Sequence, residues 1–384
     1  MKRKVAVITG TRAEYGLFRV ILNKISNSDN LELKLIVTGS HLSPAHGNTY
    51  KQIEADGFKI DYKADILIAS DTPVAIAKTM GLGILSFAQI FSDLKPDIVL
   101  ILGDRYEMLA AASAALPFNI ILAHIAGGEI TEGIIDDAIR HSITKLSHIH
   151  FPCSNFYANN LLKLAEESWR IHNVGHPSIE LIRQIDLISK EELCRIHDLD
   201  IKKKIFLVTF HPTTLNSIET ERKESKIFFD VLKTFNNVNI VITSPNSDTN
   251  NQVILERIEF MKTQENVRFI VNLGSQQYFS FMKVCDLVLG NSSSGIGEST
   301  FFKVPVINYG DRQKGRLKAF NIIDVLPDEV NLYNSIDKAL NDSYFIKSLE
   351  KVESIYGMGN TSEVIVKVLS EISIDEKLLR KKFN

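Results

Sequence analysis

A run of small polar residues at 290–298, GNSSSGIGE, directly follows the apolar run DLVLG. Small residues in a row contribute little to a core, so this stretch calls for another explanation. A strand that ends in such a loop and continues into a helix presents backbone N–H groups, hydroxyls and the positive end of the helix dipole to a phosphate. Glu298, about one turn further on, is suited to accept hydrogen bonds from a ribose diol. The alternative is a serine-capped helix start with an exposed glutamate. The candidate contacts in the loop are Ser292, Ser293, Ser294 and Gly295.

Arginines stand in two other loops that follow apolar runs. The loop YGDRQKGR (309–316) offers Arg312 and Arg316, whose planar forks suit the oxygens of a diphosphate. The alternative is a solvated basic loop. Near the N-terminus, TGTRAEYG (9–16) places Arg12 in a glycine-flanked turn. This turn has neither the G-x-G-x-x-G nor the G-x-x-x-x-G-K-[ST] spacing, so the sequence supports neither a dinucleotide-binding fold nor a P-loop.

Carboxylates cluster in the first half of the chain. LGDRYE (102–107) puts Asp104 and Arg105 just past a buried run. A charged pair at that place costs desolvation free energy unless it has partners, which favours a role in an active site.

The densest cluster is AHIAGGEITEGIIDDAIRHSITK (123–145), in which Glu129 stands at a glycine-rich turn. The predicted helix that follows sets two oppositely charged pairs at a spacing of four residues on neighbouring faces. The alternative is a set of surface salt bridges on a solvated helix. The two pairs are Asp137 with His141 and Asp136 with Arg140.

Two histidines complete the candidate site. His211, in TFHPTT, ends the first strand of the second half, and topology predicts that it faces the same cleft as Asp104. The alternative for His211 is a capped loop residue. His41, in TGSHLSPAHGNTY (38–50), is a weaker candidate of the same kind. No histidine has the H-E-x-x-H spacing, so no zinc site is predicted.

The elements that must position these residues form two series of short, β-branched runs with helical patterns between them. Runs that are apolar on both faces predict central strands of a parallel sheet covered by helices. The sequence therefore predicts two doubly wound α/β halves that meet near Val174–Pro177, with the ligand in the cleft between them. The predicted strands lie at 5–9, 33–39, 97–103, 120–125, 149–154, 204–210, 238–244, 267–273, 286–290 and 304–310.

Composition excludes several classes of protein. With 384 residues and a formal net charge of −2, the chain has no global basic field, so we expect no nucleic acid and no membrane as partners. Three widely spaced cysteines indicate buried thiols in a reducing cytoplasm. The N-terminal apolar stretch is too short for a signal peptide, and no later segment is expected to reach the roughly 18 apolar residues of a membrane span. The charged tail at 375–384 is predicted to be a fraying helix end.

Seven of these motifs, taken in their order along the chain, resemble those of the hydrolysing UDP-N-acetylglucosamine 2-epimerases of sialic-acid and related nonulosonic-acid synthesis. The resemblance spans roughly residues 4–365. It implies two Rossmann-like domains of the GT-B type, at 1–174 and 175–358. A helical segment at 359–384 is expected to pack back on the first domain. The resemblance also implies a homodimer or a homotetramer.

The family's reaction begins with loss of the nucleoside diphosphate from C1 and of the proton from C2, which gives a 2-acetamidoglycal. Water then adds and gives the free 2-epimer, and the reaction needs no metal or redox cofactor. The resemblance implies nucleotide-binding roles for Arg12, Ser292, Ser293, Glu298 and Arg312. It implies catalytic roles for Asp104, Asp136 and His211.

One position departs from the family's pattern. Many relatives carry a catalytic glutamate before the GG of the H-I-x-G-G turn, but here the residue is Ala126. Either Glu129 shares that task, or the reaction uses Asp104 with Asp136 and Asp137.

The amino sugar stays open between the N-acetylglucosamine and the N,N'-diacetylbacillosamine nucleotides, and so does the nucleoside. Three alternatives to hydrolytic epimerisation are a non-hydrolysing epimerase that returns UDP to the glycal, a GT-B glycosyltransferase that needs an acceptor, and a sugar-nucleotide-binding regulator without chemistry.

Overall fold

A computed structural model describes residues 2–70, 72–132, 134–245, 250–357 and 359–382. The chain forms two compact units. Unit 1 comprises Met1–Glu129, Asp136–Arg183 and Tyr356–Asn384, and unit 2 comprises Ile130–Ile135 and Gln184–Ile355.

Unit 1 is built on a six-stranded parallel sheet with the strand order β3-β2-β1-β4-β5-β6. The central strands β4 and β5 are buried along their whole length, because helices cover both faces of a doubly wound sheet. The strands are β1 (Arg3–Thr9), β2 (Leu31–Thr38), β3 (Tyr62–Ala64), β4 (Ile98–Leu102), β5 (Ile121–Ile125) and β6 (Ile149–Phe151).

Helices of unit 1 follow the strands in alternation. The longest, α3, packs closely on α4, since a Cβ atom at Gly83 would lie 2.8 Å from the Cβ atom of Ala110. By length and composition α3 could cross a membrane, contrary to the expectation that no segment reaches that length, and 33% of its most apolar 18-residue window is buried. The helices are α1 (Arg12–Ser26), α2 (Tyr50–Ala55), α3 (Pro73–Leu94), α4 (Tyr106–Ala115), α5 (Asp136–Leu146), α6 (Asn155–Lys163) and α7 (Pro177–Gln184), and, near the C-terminus, α16 (Thr361–Glu371) and α17 (Glu376–Leu379).

The boundary between the units falls at Arg183/Gln184, later than the predicted Val174–Pro177. The reason is that α7 is bound to α16, which also belongs to unit 1. The Glu180 carboxylate accepts hydrogen bonds from Ser362, at 2.7 Å from the backbone nitrogen and 2.5 Å from the hydroxyl. Removing either helix would leave these buried polar groups without partners.

The charged tail is held in place, so the predicted fraying end is wrong for the residues that the structure describes. Arg170, which is fully buried, donates hydrogen bonds to the carbonyls of Lys377 and Leu378 at 2.8 and 2.7 Å. Lys381 Nζ lies 2.7 Å from Glu166 Oε2. Arg170 thus donates hydrogen bonds to carbonyls at the end of α17, and Glu166 pairs with the charge of Lys381 beyond that helix.

Unit 2 repeats the plan with a parallel sheet in the order β12-β11-β10-β7-β8-β9. Its strands are β7 (Lys204–Thr209), β8 (Val238–Thr243), β9 (Val267–Ile270), β10 (Leu287–Gly290), β11 (Val306–Tyr309) and β12 (Ile322–Val325). Its helices are α8 (Lys190–His197), α9 (Ile218–Lys233), α10 (Asn251–Met261), α11 (Gly274–Val284), α12 (Ser294–Gly297), α13 (Ser299–Phe302), α14 (Glu329–Asn341) and α15 (Ser343–Ser348).

Each of the ten predicted strand segments contains a strand, so the prediction of two doubly wound sheets is confirmed. The sequence missed β3 and β12, which are edge strands of three and four residues. Edge strands are covered less than central ones, so they lack the continuous apolar run that marks a central strand. All three cysteines are buried and free, as predicted.

Candidate functional site

The site residues of unit 1 meet around the buried guanidinium of Arg140, on α5. This side chain is 1% exposed and forms an ion pair with the carboxylate of Asp104, in the turn after β4. Its Nη1 lies 3.4 Å from Asp137 Oδ1 and donates to the carbonyl of Glu129 at 3.2 Å. Four predicted site residues, one from the motif at 102–107 and three from the motif at 123–145, are therefore brought together. The alternative of a solvated surface salt bridge is wrong for Arg140.

The first turn of α5 carries the two neighbouring carboxylates. Asp137 Oδ2 lies 3.4 Å from His141 Nε2, which confirms the predicted pairing at a spacing of four residues. Asp136 opens the helix and is half-buried. Both carboxylates are stabilised at a helix N-terminus, where the backbone dipole favours negative charge.

The turn before Glu129 is fixed by its backbone. Ala126 adopts a left-handed conformation with φ of 64°, and its N–H donates to the carbonyl of Phe151 at 3.0 Å. Gly128 has φ of 80°, and a Cβ atom there would lie 2.5 Å from the carbonyl oxygen of Tyr157. Glu129 is 2% exposed at the end of this turn. The backbone that leads to Glu129 thus follows a turn that only glycine at 128 permits.

The turn after β1 holds a buried carboxyl group that sequence reasoning missed. Glu14 Oε2 accepts hydrogen bonds from the N–H groups of Gly10 and Thr11 at 2.7 and 3.1 Å. Burial, with a contribution from the charge of Glu107, raises the pKa of Glu14 to about 7. The signal was available, since T-x-x-E at 11–14 is a capping box. Arg12 starts α1 with an exposed side chain.

Arg105 has partners within the protein. Its Nε donates to Glu107 Oε2 at 3.3 Å, and its guanidinium carbon lies 5.2 Å from the centre of the Tyr106 ring. Glu107 is 1% exposed, so the positive charge of Arg105 compensates a buried carboxylate. Arg105 thus has a carboxylate partner within unit 1, and its predicted binding of substrate stays a prediction.

His41 is fully buried, and both ring nitrogens face hydroxyl groups of unit 1. Nε2 lies 3.0 Å from Thr9 Oγ1, and Nδ1 lies 2.7 Å from Thr49 Oγ1. Burial lowers the pKa of His41 to about 4, so the ring is neutral near pH 7. These bonds argue against the predicted contact between His41 and the substrate.

In unit 2, three loops meet at Asn291, a residue that sequence reasoning did not single out. Its side chain accepts a hydrogen bond from the N–H of His211 at 2.7 Å and donates one to the His211 carbonyl at 2.8 Å. Its own carbonyl accepts from Arg312 Nη1 at 3.2 Å and from Gln313 Nε2 at 2.9 Å. The loops after β7, β10 and β11 are therefore joined. The sequence signal was an amide residue directly after a buried strand.

The serine loop begins at a residue that must be glycine. Gly290 has φ of 130°, and a Cβ atom there would lie 2.0 Å from the carbonyl oxygen of Thr209. Beyond it, Ser294 Oγ lies 3.0 Å from Ser292 Oγ and 2.5 Å from the hydroxyl of Tyr278. Ser294 is therefore bonded within unit 2, whereas Ser293 is exposed.

The predicted helix after the loop consists of two four-residue segments, α12 and α13. Glu298, between them, is 7% exposed, so the alternative of an exposed glutamate is wrong. Gly295 lies against β10 and β11, where a Cβ atom would contact Val288 and Val306 at 3.6 and 3.4 Å. This packing gives Gly295 a structural role in addition to any contact with a phosphate.

The loop after β11 is buried at Arg312 and Gln313 and more exposed on either side of them. Arg312 is 6% exposed, and its Nε donates to the carbonyl of Pro212 at 3.2 Å, so the alternative of a solvated basic loop is wrong for this residue. Arg316 is half-buried. The same loop binds the segment that precedes α5, because Lys314 Nζ lies 2.9 Å from Glu132 Oε2. This attachment explains why Ile130–Ile135 belongs to unit 2.

Comparison with known proteins agrees with these motifs. The family model described as UDP-N-acetylglucosamine 2-epimerase matches residues 23–370. The chain is 45% identical over 325 residues to the GDP/UDP-N,N'-diacetylbacillosamine 2-epimerase (hydrolyzing) of Campylobacter jejuni, covering 84% of each chain. It is 35% identical to the UDP-N,N'-diacetylbacillosamine 2-epimerase (hydrolyzing) of Legionella pneumophila, covering 99% of each.

A solved structure shares the fold. The crystal structure of UDP-GlcNAc 2-epimerase from Neisseria meningitidis, bound to UDP-GlcNAc, matches with a TM-score of 0.83 at 21% identity, covering 95% of this chain and 99% of that one. This likeness confirms the predicted α/β fold of the GT-B type. Because the family model and the two relatives also match most of the sequence, the chain belongs to the UDP-N-acetylglucosamine 2-epimerase family.

Proposed function

We propose that this protein is a hydrolysing 2-epimerase whose substrate is UDP-N,N'-diacetylbacillosamine. The observation that carries the proposal is the buried Arg140, which joins Asp104 and Asp137 in unit 1. A guanidinium in that place holds two carboxylates ready to move protons. The choice of sugar is supported by the names of the Campylobacter and Legionella relatives, which match this chain over most of their length.

Unit 2 is proposed to hold the nucleotide. The exposed Ser293 offers a hydroxyl to the diphosphate, and Arg312 and Arg316 add positive charge in the neighbouring loop. Glu298 is proposed to accept hydrogen bonds from the ribose. The N–H and the carbonyl of His211 are both hydrogen-bonded to the Asn291 side chain. His211 is proposed to stabilise the diphosphate as it leaves.

Unit 1 is proposed to manage the proton at C2. Arg12, exposed at the start of α1, adds a cation for the phosphates. A C2–H bond becomes acidic only when C1 has gained oxocarbenium character, so departure of the diphosphate must accompany removal of the proton. The C1–O bond breaks with its electron pair going to UDP, the C2–H proton passes to a carboxylate, and a C1=C2 double bond forms.

Hydration of the glycal then completes the reaction. Hydroxide from water adds to C1, and a proton is delivered to C2 from the opposite face, which gives the free 2-epimer. Asp104 is our choice for one of the two proton transfers, because it is the carboxylate paired with the buried Arg140. Glu129 and the Asp136–Asp137 pair are the carboxylates available for the other, since Ala126 can transfer no proton. In this proposal no metal or redox cofactor takes part.

The proposal places the protein in nonulosonic-acid synthesis of the sialic- and legionaminic-acid type, in the cytoplasm. Its three buried free thiols fit a reducing compartment. The protein is proposed to work as a homodimer or a homotetramer. A second candidate substrate is UDP-N-acetylglucosamine, which the description of the matching family favours.

The test is incubation with each of the two UDP-sugars and identification of every product by NMR. We expect UDP and the free 2-epimer of diacetylbacillosamine in equal amounts. Turnover of UDP-N-acetylglucosamine alone would support the second candidate instead. UDP-sugar epimers without released sugar would indicate a non-hydrolysing epimerase, and release only in the presence of an acceptor would indicate a glycosyltransferase. Either of these results would overturn the proposal.

A further inference from the structure

The last turn of α5 is bound by a cation from the charged C-terminal tail. Lys381 Nζ donates hydrogen bonds to the carbonyls of Thr144 and Lys145, at 3.2 and 3.0 Å. The final four carbonyls of a helix have no partner within it, so this ammonium group caps α5. It also places a positive charge at the negative end of the helix dipole. The first turn of the same helix carries Asp136 and Asp137, so both ends of α5 have the charge that the dipole favours.

A buried carboxylate joins Lys381 to α5 a second time. An ammonium group has three N–H donors, and the third contact of Lys381 Nζ is Glu166 Oε2, at 2.7 Å. The Glu166 side chain is 1% exposed, and its Oε1 lies 3.0 Å from Lys145 Nζ, on α5. Burial raises the pKa of Glu166, but hydrogen bonds from His150 and Lys381 outweigh burial and lower this pKa to about 2. Glu166 is therefore a carboxylate that binds cations of both α5 and the tail.

The tail that carries Lys381 is itself fixed to unit 1. The buried Arg170 donates hydrogen bonds to the carbonyls of Leu378 and Arg380, at 2.7 and 3.2 Å. The Leu378 side chain is 1% exposed. The Lys381 side chain is 13% exposed, whereas the next residue, Lys382, is exposed. The backbone before Lys381 is thus held in place, and this makes the position of its ammonium group specific.

The turn of α5 that Lys381 binds directly follows the turn that carries Arg140. Thr144 lies four residues after Arg140, so the two residues share a face of the helix about 6 Å apart along its axis. Arg140 forms the ion pair with Asp104, and its Nη1 lies 3.4 Å from Asp137 Oδ1. Each turn of a helix is hydrogen-bonded to the next, so a shift of the last turn also moves the turns before it. The position of Lys381 therefore bears on where the Arg140 guanidinium meets Asp104.

We infer that Lys381 is a positioning residue for the proton transfer at C2, acting from the tail through α5. The inference rests on the proposed function, in which Asp104 and the carboxylates near it move the protons. Lys381 binds backbone carbonyls and Glu166, so its effect on the reaction passes through the placement of α5. Loss of Lys381 should slow proton transfer and leave the affinity for UDP unchanged, because UDP is assigned mainly to unit 2.

The alternative is that Lys381 contributes stability only. Removing its ammonium group leaves Glu166 with Lys145 and His150 as partners, so we expect the variant to fold. A role in stability alone would lower the fraction of folded protein. It would then reduce the amount of UDP bound and the rate of turnover by the same factor, whereas a positioning role reduces the rate per UDP-binding site.

The first experiment measures UDP release and UDP binding for Lys381→Met, which removes the ammonium group and keeps an unbranched side chain. We expect kcat per UDP-binding site to fall at least about tenfold, because a displacement of about 1 Å at catalytic groups can cost about 100-fold. The KM for the UDP-sugar and the Kd for UDP should stay within about twofold of the wild type, since uniform binding is intact.

Two further variants serve as controls for this experiment. Lys381→Arg keeps a cation with several N–H donors and should restore most of the lost kcat. Lys382→Met makes the same change of charge at the exposed neighbouring residue and should match the wild type.

The second experiment needs no substrate and measures hydrogen exchange of the backbone amides of α5 by mass spectrometry. In Lys381→Met these amides should exchange about tenfold or more faster than in the wild type, because the helix has lost a charged cap. The amides of β7, in unit 2, should keep their rates in the same sample. Lys382→Met should leave the exchange of both elements unchanged.

Equal exchange of α5 in Lys381→Met and the wild type would overturn the link between the tail and this helix. Wild-type kcat in Lys381→Met, or an equal loss of UDP binding and turnover, would overturn the positioning role. A wild type that releases no UDP from either UDP-sugar would instead reject the proposed function. Faster exchange in Lys381→Met would then still show that the tail fixes α5, so the two failures are distinguishable.

Discussion

Replacing Asn291 with alanine should cost stability and also disable the site, whereas a matched change elsewhere in unit 2 should cost stability alone. Asn291 is 2% exposed and pairs with the backbone of His211 through two hydrogen bonds, at 2.7 and 2.8 Å. Asn239 is 3% exposed and pairs in the same way with the backbone of Asp200, at 3.1 and 2.7 Å. Asn239 lies at the start of β8, whereas the three loops follow the ends of parallel strands, so Asn239 is at the opposite end of the strands from these loops.

Both alanine variants should lose free energy of unfolding. Each leaves one backbone N–H and one backbone carbonyl without a side-chain partner, and each such group costs about 1–3 kcal/mol when it is buried. The expected loss is therefore about 2–6 kcal/mol for Asn291→Ala, and it is smaller for Asn239→Ala, because Asp200 is exposed and water can reach the groups that are freed. Asn291→Ala keeps the backbone carbonyl that accepts from Arg312 and Gln313, and it removes the two side-chain bonds that join the His211 loop to the serine loop. A displacement of catalytic groups by about 1 Å can cost about 100-fold in rate, so we expect at least that loss of kcat/KM for Asn291→Ala.

Urea unfolding, UDP titration calorimetry and UDP release together test this reasoning. At a temperature where both variants are folded, Asn239→Ala should keep kcat/KM within about threefold of the wild type, since its site is intact. The reasoning is refuted if Asn291→Ala and Asn239→Ala show equal activity, because Asn291 would then contribute stability only.

Three further variants test separate parts of the site. Asp104→Asn should abolish turnover and leave the Kd for UDP nearly unchanged in calorimetry, because the carboxylate is assigned to proton transfer; wild-type turnover would remove Asp104 from the mechanism. Arg312→Ala should weaken UDP binding by about tenfold or more, through loss of a charge-assisted contact, and an unaltered Kd would contradict its role. Glu14→Gln tests the effect of pH. Burial raises the pKa of Glu14 from 4.5 to about 7, so the folded chain holds a proton that the unfolded chain releases, and stability falls as pH rises across that window. Gln has no proton to release, so the free energy of unfolding of the variant relative to the wild type should rise by about 1–3 kcal/mol between pH 4.5 and pH 7.5. An equal pH dependence in urea unfolding of both proteins would contradict this assignment.

The parts of the fold that could be predicted are those whose burial produces a continuous local run of apolar residues. Central strands such as β4 and β5 are apolar at every position, because both faces are covered. The edge strands β3 and β12 are short and only partly covered, so their sequences contain no continuous apolar run from which a strand could be predicted. The attachment of the tail through Arg170 and Lys381 depends on residues more than 200 positions apart, which no local pattern encodes.

The site was predictable in its residue types and less so in its contacts. The spacing of Asp137 and His141 on one helix predicts their pairing, which the structure contains. The partner of Arg140 is Asp104, from another strand end, and only the order of β4 and β5 in the sheet brings them together. The contacts of His41 could not be predicted, because a histidine after a strand looks the same in sequence whether its ring faces a ligand or two threonine hydroxyls.

The central claim is that UDP leaves C1 together with the proton at C2 and that solvent later supplies a new proton to C2. The most direct measurement is turnover of UDP-N,N'-diacetylbacillosamine in D₂O, followed by NMR of the released sugar. We predict one deuterium at C2 of the product and UDP released in equal amount. Retention of the original hydrogen at C2 in a 2-epimerised product would contradict the elimination, and with it the role given to the carboxylates of unit 1.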